Sequence, residues 1–435
     1  MSPPPVRAIR GEILHFLGDP VEHGAAALEH FADGVLVVRD GYVAELGDSD
    51  ALLAKLSAET PIEDFRGKLI LPGFVDTHVH YAQSDIIASY GEQLLTWLEK
   101  YTYPAERHFA NPAHAAAVAE FFCDELLRNG TTSASAFATV HPASVDALFA
   151  AALKRRMRLI VGKVLMDRNC PDFVRDSAAG GYAESRALIE KWHGRERLLY
   201  AVTPRFAATS TPEQMRLAGR LLAEYPGVYL QSHVAENRGE VAWIAELYPE
   251  ARSYLDVYER FGQLGPRSVF AHCIWLDDTD RARMAASGAA MSFCPTSNLF
   301  LGSGLFDLDR AQALGVRVGI GTDVGAGTSF SMLRTLSEAY KVLQLNGQRL
   351  SAERAFYLAT LGGARSLYLD DCIGSFAPGR EADFVVLDPA ATPLLARRSA
   401  ACATLAERLF VLMMLGDDRA VAETWVLGEP AWRRG

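Results

Sequence analysis

Three things are missing from this sequence, and each absence removes a class of function. No apolar stretch is long and uncharged enough to cross a bilayer, so no membrane role is expected. The N-terminus, MSPPPVRAIRGEI, has no apolar core of the kind a secretory leader needs. No run of basic residues exists: 43 Lys and Arg are set against 53 Asp and Glu, a formal net charge of -10, so nucleic acid is not an expected partner. The six cysteines (Cys123, Cys170, Cys273, Cys294, Cys372 and Cys402) include no C-x-x-C pair, which fits a reducing cytoplasm better than a disulfide framework. Several catalytic signatures are also missing: G-x-S-x-G, H-E-x-x-H, the Walker A loop, and H-x-E with P-C-x-x-C.

What is present has a clear order. The first 70 residues read as short strands and turns, with a hairpin centred on Asp40-Gly41 in ADGVLVVRDGYVAELGD (32–48). The last 60 have the same texture, in ADFVVLDP (382–389) and AETWVLGEP (422–430). Residues 1–70 and 375–435 are therefore expected to build one small β-sandwich from both chain ends.

Between them, residues 71–374 alternate short apolar runs with helical patterns such as PAHAAAVAEFFCDELLRNG (112–130) and PEQMRLAGRLLAEYPG (212–227). Eight runs read as strands: 74–80, 131–137, 158–166, 198–206, 228–234, 268–275, 289–295 and 316–323. Eight strand–helix units predict an α/β fold, a (β/α)8 TIM-like barrel. The rival open sheet would carry a Gly-rich turn after its first strand, and none is there.

Metal-ligand residue types gather at the C-terminal ends of these runs, where barrel active sites are built. His78 and His80 end the first, His233 the fifth, His272 the sixth and Asp323 the eighth. Residues two apart on a strand share a face, so both imidazoles of His78-x-His80 can meet one ion. Asp76 shares that parity and either orients a ligand or packs beneath it. Three histidines and an aspartate leave a position for water, the mark of a catalytic zinc, and such a donor set also suits iron. His272 is either a ligand or a hydrogen-bond partner of the attacking hydroxide. Glu236, three residues after His233, is placed to shuttle protons between water and substrate. The fourth run ends without a lysine that could bridge two metals, so one ion is expected; Lys163 on the third is a counter-candidate. Arg205 can donate to a carbonyl oxygen, Gln83 can donate and accept at a ring edge, and Phe206 offers an apolar face. Trp97 and Tyr101, four apart on a helix, are read as core or lid packing, with direct contact to the ligand ring second, and Asn298 as a support or a turn residue.

The segments PGFVDTHVH, SHVAEN, AHCIW, SFCPTSN and GIGTDVGAGTS resemble, in that order, the motifs of the metal-dependent amidohydrolase superfamily. More narrowly, HYAQSDIIASYGEQLLTWLEKYTYPAE (80–106), GKVLMDRNCP, TPRFAATST, HVAENRGEV and DVGAGTSFSML resemble the guanine deaminase family. The resemblance implies a zinc enzyme, a cytoplasmic homodimer of purine catabolism, that converts guanine and water to xanthine and ammonia. It implies His78, His80, His233 and Asp323 as holders of one Zn2+ and His272, Glu236 and Asp323 as catalytic. Gln83, Arg205, Phe206, His233 and Glu236 then contact guanine, with Glu236 protonating N3 as hydroxide attacks C2. Two other readings stand beside it: a deaminase or dechlorinase of another heterocycle, and a non-catalytic scaffold.

Overall fold

Eight parallel strands form the central sheet of the computed structural model, which describes residues 6–435. The strands are Phe74–His80, Thr131–Phe137, Arg158–Gly162, Leu199–Pro204, Tyr229–Val234, Ser268–His272, Ala290–Phe293 and Arg317–Ile320. Each pairs with the next in sequence. The last returns to the first through strand-end hydrogen bonds, Asp323 N to His78 O at 2.9 Å and His80 N to Val324 O at 2.9 Å. The intervening helices, among them Pro112–Arg128 and Pro212–Glu224, start where Asn111 and Thr211 accept a hydrogen bond from the first turn. Both begin with proline, whose fixed φ suits the first helical position. This is the expected (β/α)8 barrel.

The third run is broken in two. Expected as one strand over 158–166, it is Arg158–Gly162 followed by the two-residue strand Val164–Leu165, which pairs separately with residues 203–204. Lys163 at the break turns its ammonium onto Asp176 (2.6 Å) and Glu184 (3.3 Å). It is absent from the residues lining the central cavity, so the counter-candidate for a bridging lysine falls away.

A second sheet of seven strands is drawn from both chain ends: Val6–Phe16, Leu28–Arg39, Tyr42–Asp48, Ile62–Pro72, Phe384–Leu387, Val421–Val426 and Glu429–Arg433. The strands are hydrogen-bonded as one continuous sheet, and Ile13, Leu36, Phe65, Ile70, Phe384 and Trp425 join one apolar cluster of their own. The hairpin turn is as read: Asp40 and Gly41 both have positive φ (54° and 84°), the pairing a tight two-residue turn requires. Residues 1–5, at the head of the expected 1–70 segment, lie outside the described residues.

The C-terminal segment also holds two helices that the strand reading did not anticipate, Pro393–Ala400 and Leu405–Leu415. The second starts in a capping box between Thr404 and Glu407 and buries Leu409, Leu412 and Met413 in the main core. Among the described residues no helix is long and apolar enough to cross a membrane.

Candidate active site

The C-terminal ends of the barrel strands are bent in an uncommon way. Ala235, His272, Cys273 and Asp323 all have positive φ, between 50° and 70°. Non-glycine residues rarely adopt this conformation, and a cluster of them marks a place where the chain is held for the sake of its side chains. The loop after the eighth strand folds so closely that a Cβ at Gly327 would lie 1.7 Å from the Thr322 carbonyl oxygen.

Five side chains from these strand ends converge. His80 Nε2 lies 3.2 Å from both His78 Nε2 and His233 Nε2. Asp323 Oδ1 lies 3.2 Å from His78 Nε2 and 3.3 Å from His80 Nε2. The donor atoms of His78, His233, His272 and Asp323 fall within 4.8 Å of one another. Ligands about 2.0–2.1 Å from a tetrahedral ion stand about 3.3–3.4 Å apart, so these spacings match the edges of such a site. The ring orientation also fits. His233 Nδ1 donates to the Arg205 carbonyl at 2.6 Å, which leaves its Nε2 lone pair facing the common point. Burial, aided by the neighbouring His78, holds His80 down to about 3, and burial plus the other three histidines keeps His233 well below its usual range. Both rings are thus neutral, the form that binds a metal. Burial opposes ionisation of Asp323, but His78, His80 and His272 outweigh it and keep the carboxylate charged. The residues fit a divalent cation.

His272 sits toward one side. Its Nδ1 donates to Asn298 Oδ1 at 2.9 Å, and its Nε2 is 3.3 Å from Glu236 Oε2 and 3.7 Å from Asp323 Oδ2. Of the two roles open to Asn298, support or turn residue, this contact fits the first. Asp76 packs beneath the site, accepting from His78 N at 3.2 Å and from the Thr322 amide and hydroxyl; burial pushes its carboxyl up to about 6. Glu236 is fully buried. Ser303 Oγ donates to its Oε1 at 2.9 Å, and burial with the nearby Asp323 charge pushes its carboxyl up to about 8.

Beside the donor set lies a small cavity lined by His80, Gln83, Arg205, Phe206, Glu236 and Asp323 among others. Gln83 is in the 3-10 turn Tyr81–Ile86, its Oε1 accepting from Gly325 N at 3.3 Å. Trp97 and Leu98 close one wall; Trp97 is edge-on to Phe300, and Tyr101, tilted at 50° to Trp97, packs behind it and does not line the cavity.

Residues 69–431 match the Amidohydrolase family. The chain belongs to that family. The guanine deaminase of Escherichia coli (strain K12) is 52% identical over 431 residues, 99% of this chain and 98% of that protein. The solved structure of E. coli guanine deaminase superposes with a TM-score of 0.97, covering 99% of this chain and 100% of that one. That of guanine deaminase from C. acetobutylicum, which has guanine bound in its active site, gives 0.89 at 29% identity, covering 98% and 100%.

In this amidohydrolase Gln83, Arg205, Phe206, His233, Glu236 and His272 all line one cavity; Glu106, behind Arg205, was not singled out from the sequence. That carboxylate is fully buried and accepts two hydrogen bonds from Arg205 Nη1, at 2.8 and 3.0 Å. The signal was present: Thr102 and Glu106, four apart on a helical segment, share its inward face. Glu106→Ala would leave the Arg205 charge buried and uncompensated. The expected cost is about 3–5 kcal/mol of stability, read as a lower urea midpoint; an unchanged midpoint would show that the pair is not needed to hold this wall.

Proposed function

We propose that this amidohydrolase removes the amino group of guanine by zinc-assisted hydrolysis, releasing xanthine and ammonia. What supports the reading is the meeting, around one cavity, of a cation-fitting donor set, a buried proton-holding carboxyl and a guanidinium suited to a carbonyl. The 52% identity to a guanine deaminase over nearly the whole chain supports the same substrate.

In this reading His78, His80, His233 and Asp323 hold one zinc ion, which when bound supplies the Lewis acidity that makes water a nucleophile near neutral pH. The residues of the chain do the rest. Arg205 donates to the purine carbonyl, Gln83 meets the ring edge, and Phe206 packs on the ring face, so that C2 is presented to the attacking oxygen. Asp323 takes a proton from the attacking water, and His272, held by Asn298, keeps that oxygen in place. Glu236 gives its proton to N3 as the new C2–O bond forms. Asp323 passes the proton it took to the amino nitrogen, and as the C2–N bond breaks the new C2 hydroxyl gives its proton back to Glu236; ammonia and xanthine leave with both carboxyl groups restored. His233 and Glu236 also touch the bound ring.

The finer features follow the same reading: a homodimer working in the cytoplasm, where the cysteines stay unpaired, as all six are in the fold. A substrate panel tests the chemistry. Guanine is expected to turn over, with cytosine, adenine and a chlorotriazine slower by orders of magnitude. Guanine inert beside an active alternative would move the enzyme to another heterocycle; a protein that retains no metal and is not rescued by added zinc would be a scaffold.

A further inference from the structure

Arg205 is held from one side only. Its Nη1 makes both hydrogen bonds to Glu106, while Nε and Nη2 make none to the described residues, although the side chain is almost wholly buried and lines the cavity. The guanidinium also lies over the Tyr103 ring, 5.7 Å from its centroid. Thr102, Tyr103 and Glu106 all come from the helical segment Leu98–Glu106, so one segment both clamps the guanidinium and forms part of the wall beside it. Thr102 Oγ1 on the same face is buried without a partner among the described residues.

The arrangement has a chemical consequence. An unpaired buried guanidinium would favour an anionic ligand. Paired with Glu106 it is a neutral unit with a fixed direction, and its remaining N–H groups can donate to an uncharged carbonyl at little cost in reorganisation. We propose that Glu106 is a positioning and specificity-determining residue, which fixes Arg205 so that the cavity selects a neutral purine bearing a carbonyl oxygen. This rests on the guanine reading above and goes beyond it, since Glu106 itself touches neither the reacting atoms nor the cation-fitting donors.

The test compares guanine with 2-aminopurine, which carries the same amino group but lacks the carbonyl oxygen, each followed as a substrate or as a competitive inhibitor. In Glu106→Gln, kcat/KM for guanine is expected to fall at least about tenfold, mostly through KM, because a contact to a substrate polar group is lost. The constant for 2-aminopurine should change less than about twofold, so discrimination between the two collapses. Equal falls for both ligands, or a fall in kcat alone, would overturn the positioning role. Where Glu106→Gln does not fold, Glu106→Asp carries the test. It keeps the charge but withdraws it from Nη1, and it should raise KM for guanine while leaving kcat within about twofold; an unchanged KM would contradict the proposal. Unvaried protein inert toward guanine would remove the functional reading and this inference together, whereas active unvaried protein with unselective variants removes only the role of Glu106.

Discussion

Glu236→Gln is expected to keep its metal and fold and to lose about 10²–10⁴-fold in kcat, the range general acid–base groups supply. The substitution keeps the shape and the hydrogen-bonding capacity toward Ser303, and it changes no member of the cation-fitting set. What it removes is a transferable proton. Burial and the Asp323 charge push the Glu236 carboxyl up to about 8, so at neutral pH the group carries the proton it must deliver. The carboxyl is fixed from both sides: Ser303 holds Oε1, His272 faces Oε2, and the backbone amide of Glu236 is anchored on Glu240 Oε2 at 2.9 Å. KM should therefore move little. Turnover unchanged in the variant would remove Glu236 from the reaction.

Asp323→Ala should be the most damaging single change. The carboxylate is the only acidic member of the convergent set, its Oδ1 within 3.3 Å of two histidine nitrogens and its Oδ2 turned toward His272. Its loss removes the charge that balances a divalent ion and also the acceptor for the proton of water. Loss of a group that merely orients a ligand costs roughly 10–100-fold in metal affinity or activity; loss of Asp323 should exceed this, and elemental analysis should find well under one metal per chain. A variant with full metal content and ordinary turnover would contradict both assigned roles.

Much of the site was legible because a parallel barrel puts function at strand ends, and strand ends can be read. His78 and His80 share a strand face by parity, while His233, His272 and Asp323 each follow a short, largely apolar run of strand length. The strand limits overshot where the chain leaves the sheet to aim a side chain: the 268–275 run stops at His272, whose φ of 70° no propensity argument foretells. The third run breaks at Lys163, whose ammonium meets Asp176 and Glu184, residues from a later loop and helix that the run itself does not reveal. Glu106 escaped for the same reason. Its partner Arg205 is 99 residues away, and in isolation it is one more acidic residue on a helical segment. The C-terminal helix Leu405–Leu415 had a local signature, the Thr404–Glu407 capping box, that the strand-like texture around it concealed.

The measurement that bears most directly on the whole account is the ultraviolet conversion of guanine to xanthine by the purified protein, before and after chelation and after zinc is restored. Stoichiometric xanthine and ammonia, loss of turnover on chelation, and recovery with about one zinc per chain are expected. Guanine left unchanged by metal-replete protein, or hydrolysed at full rate by protein stripped of metal, would contradict the account.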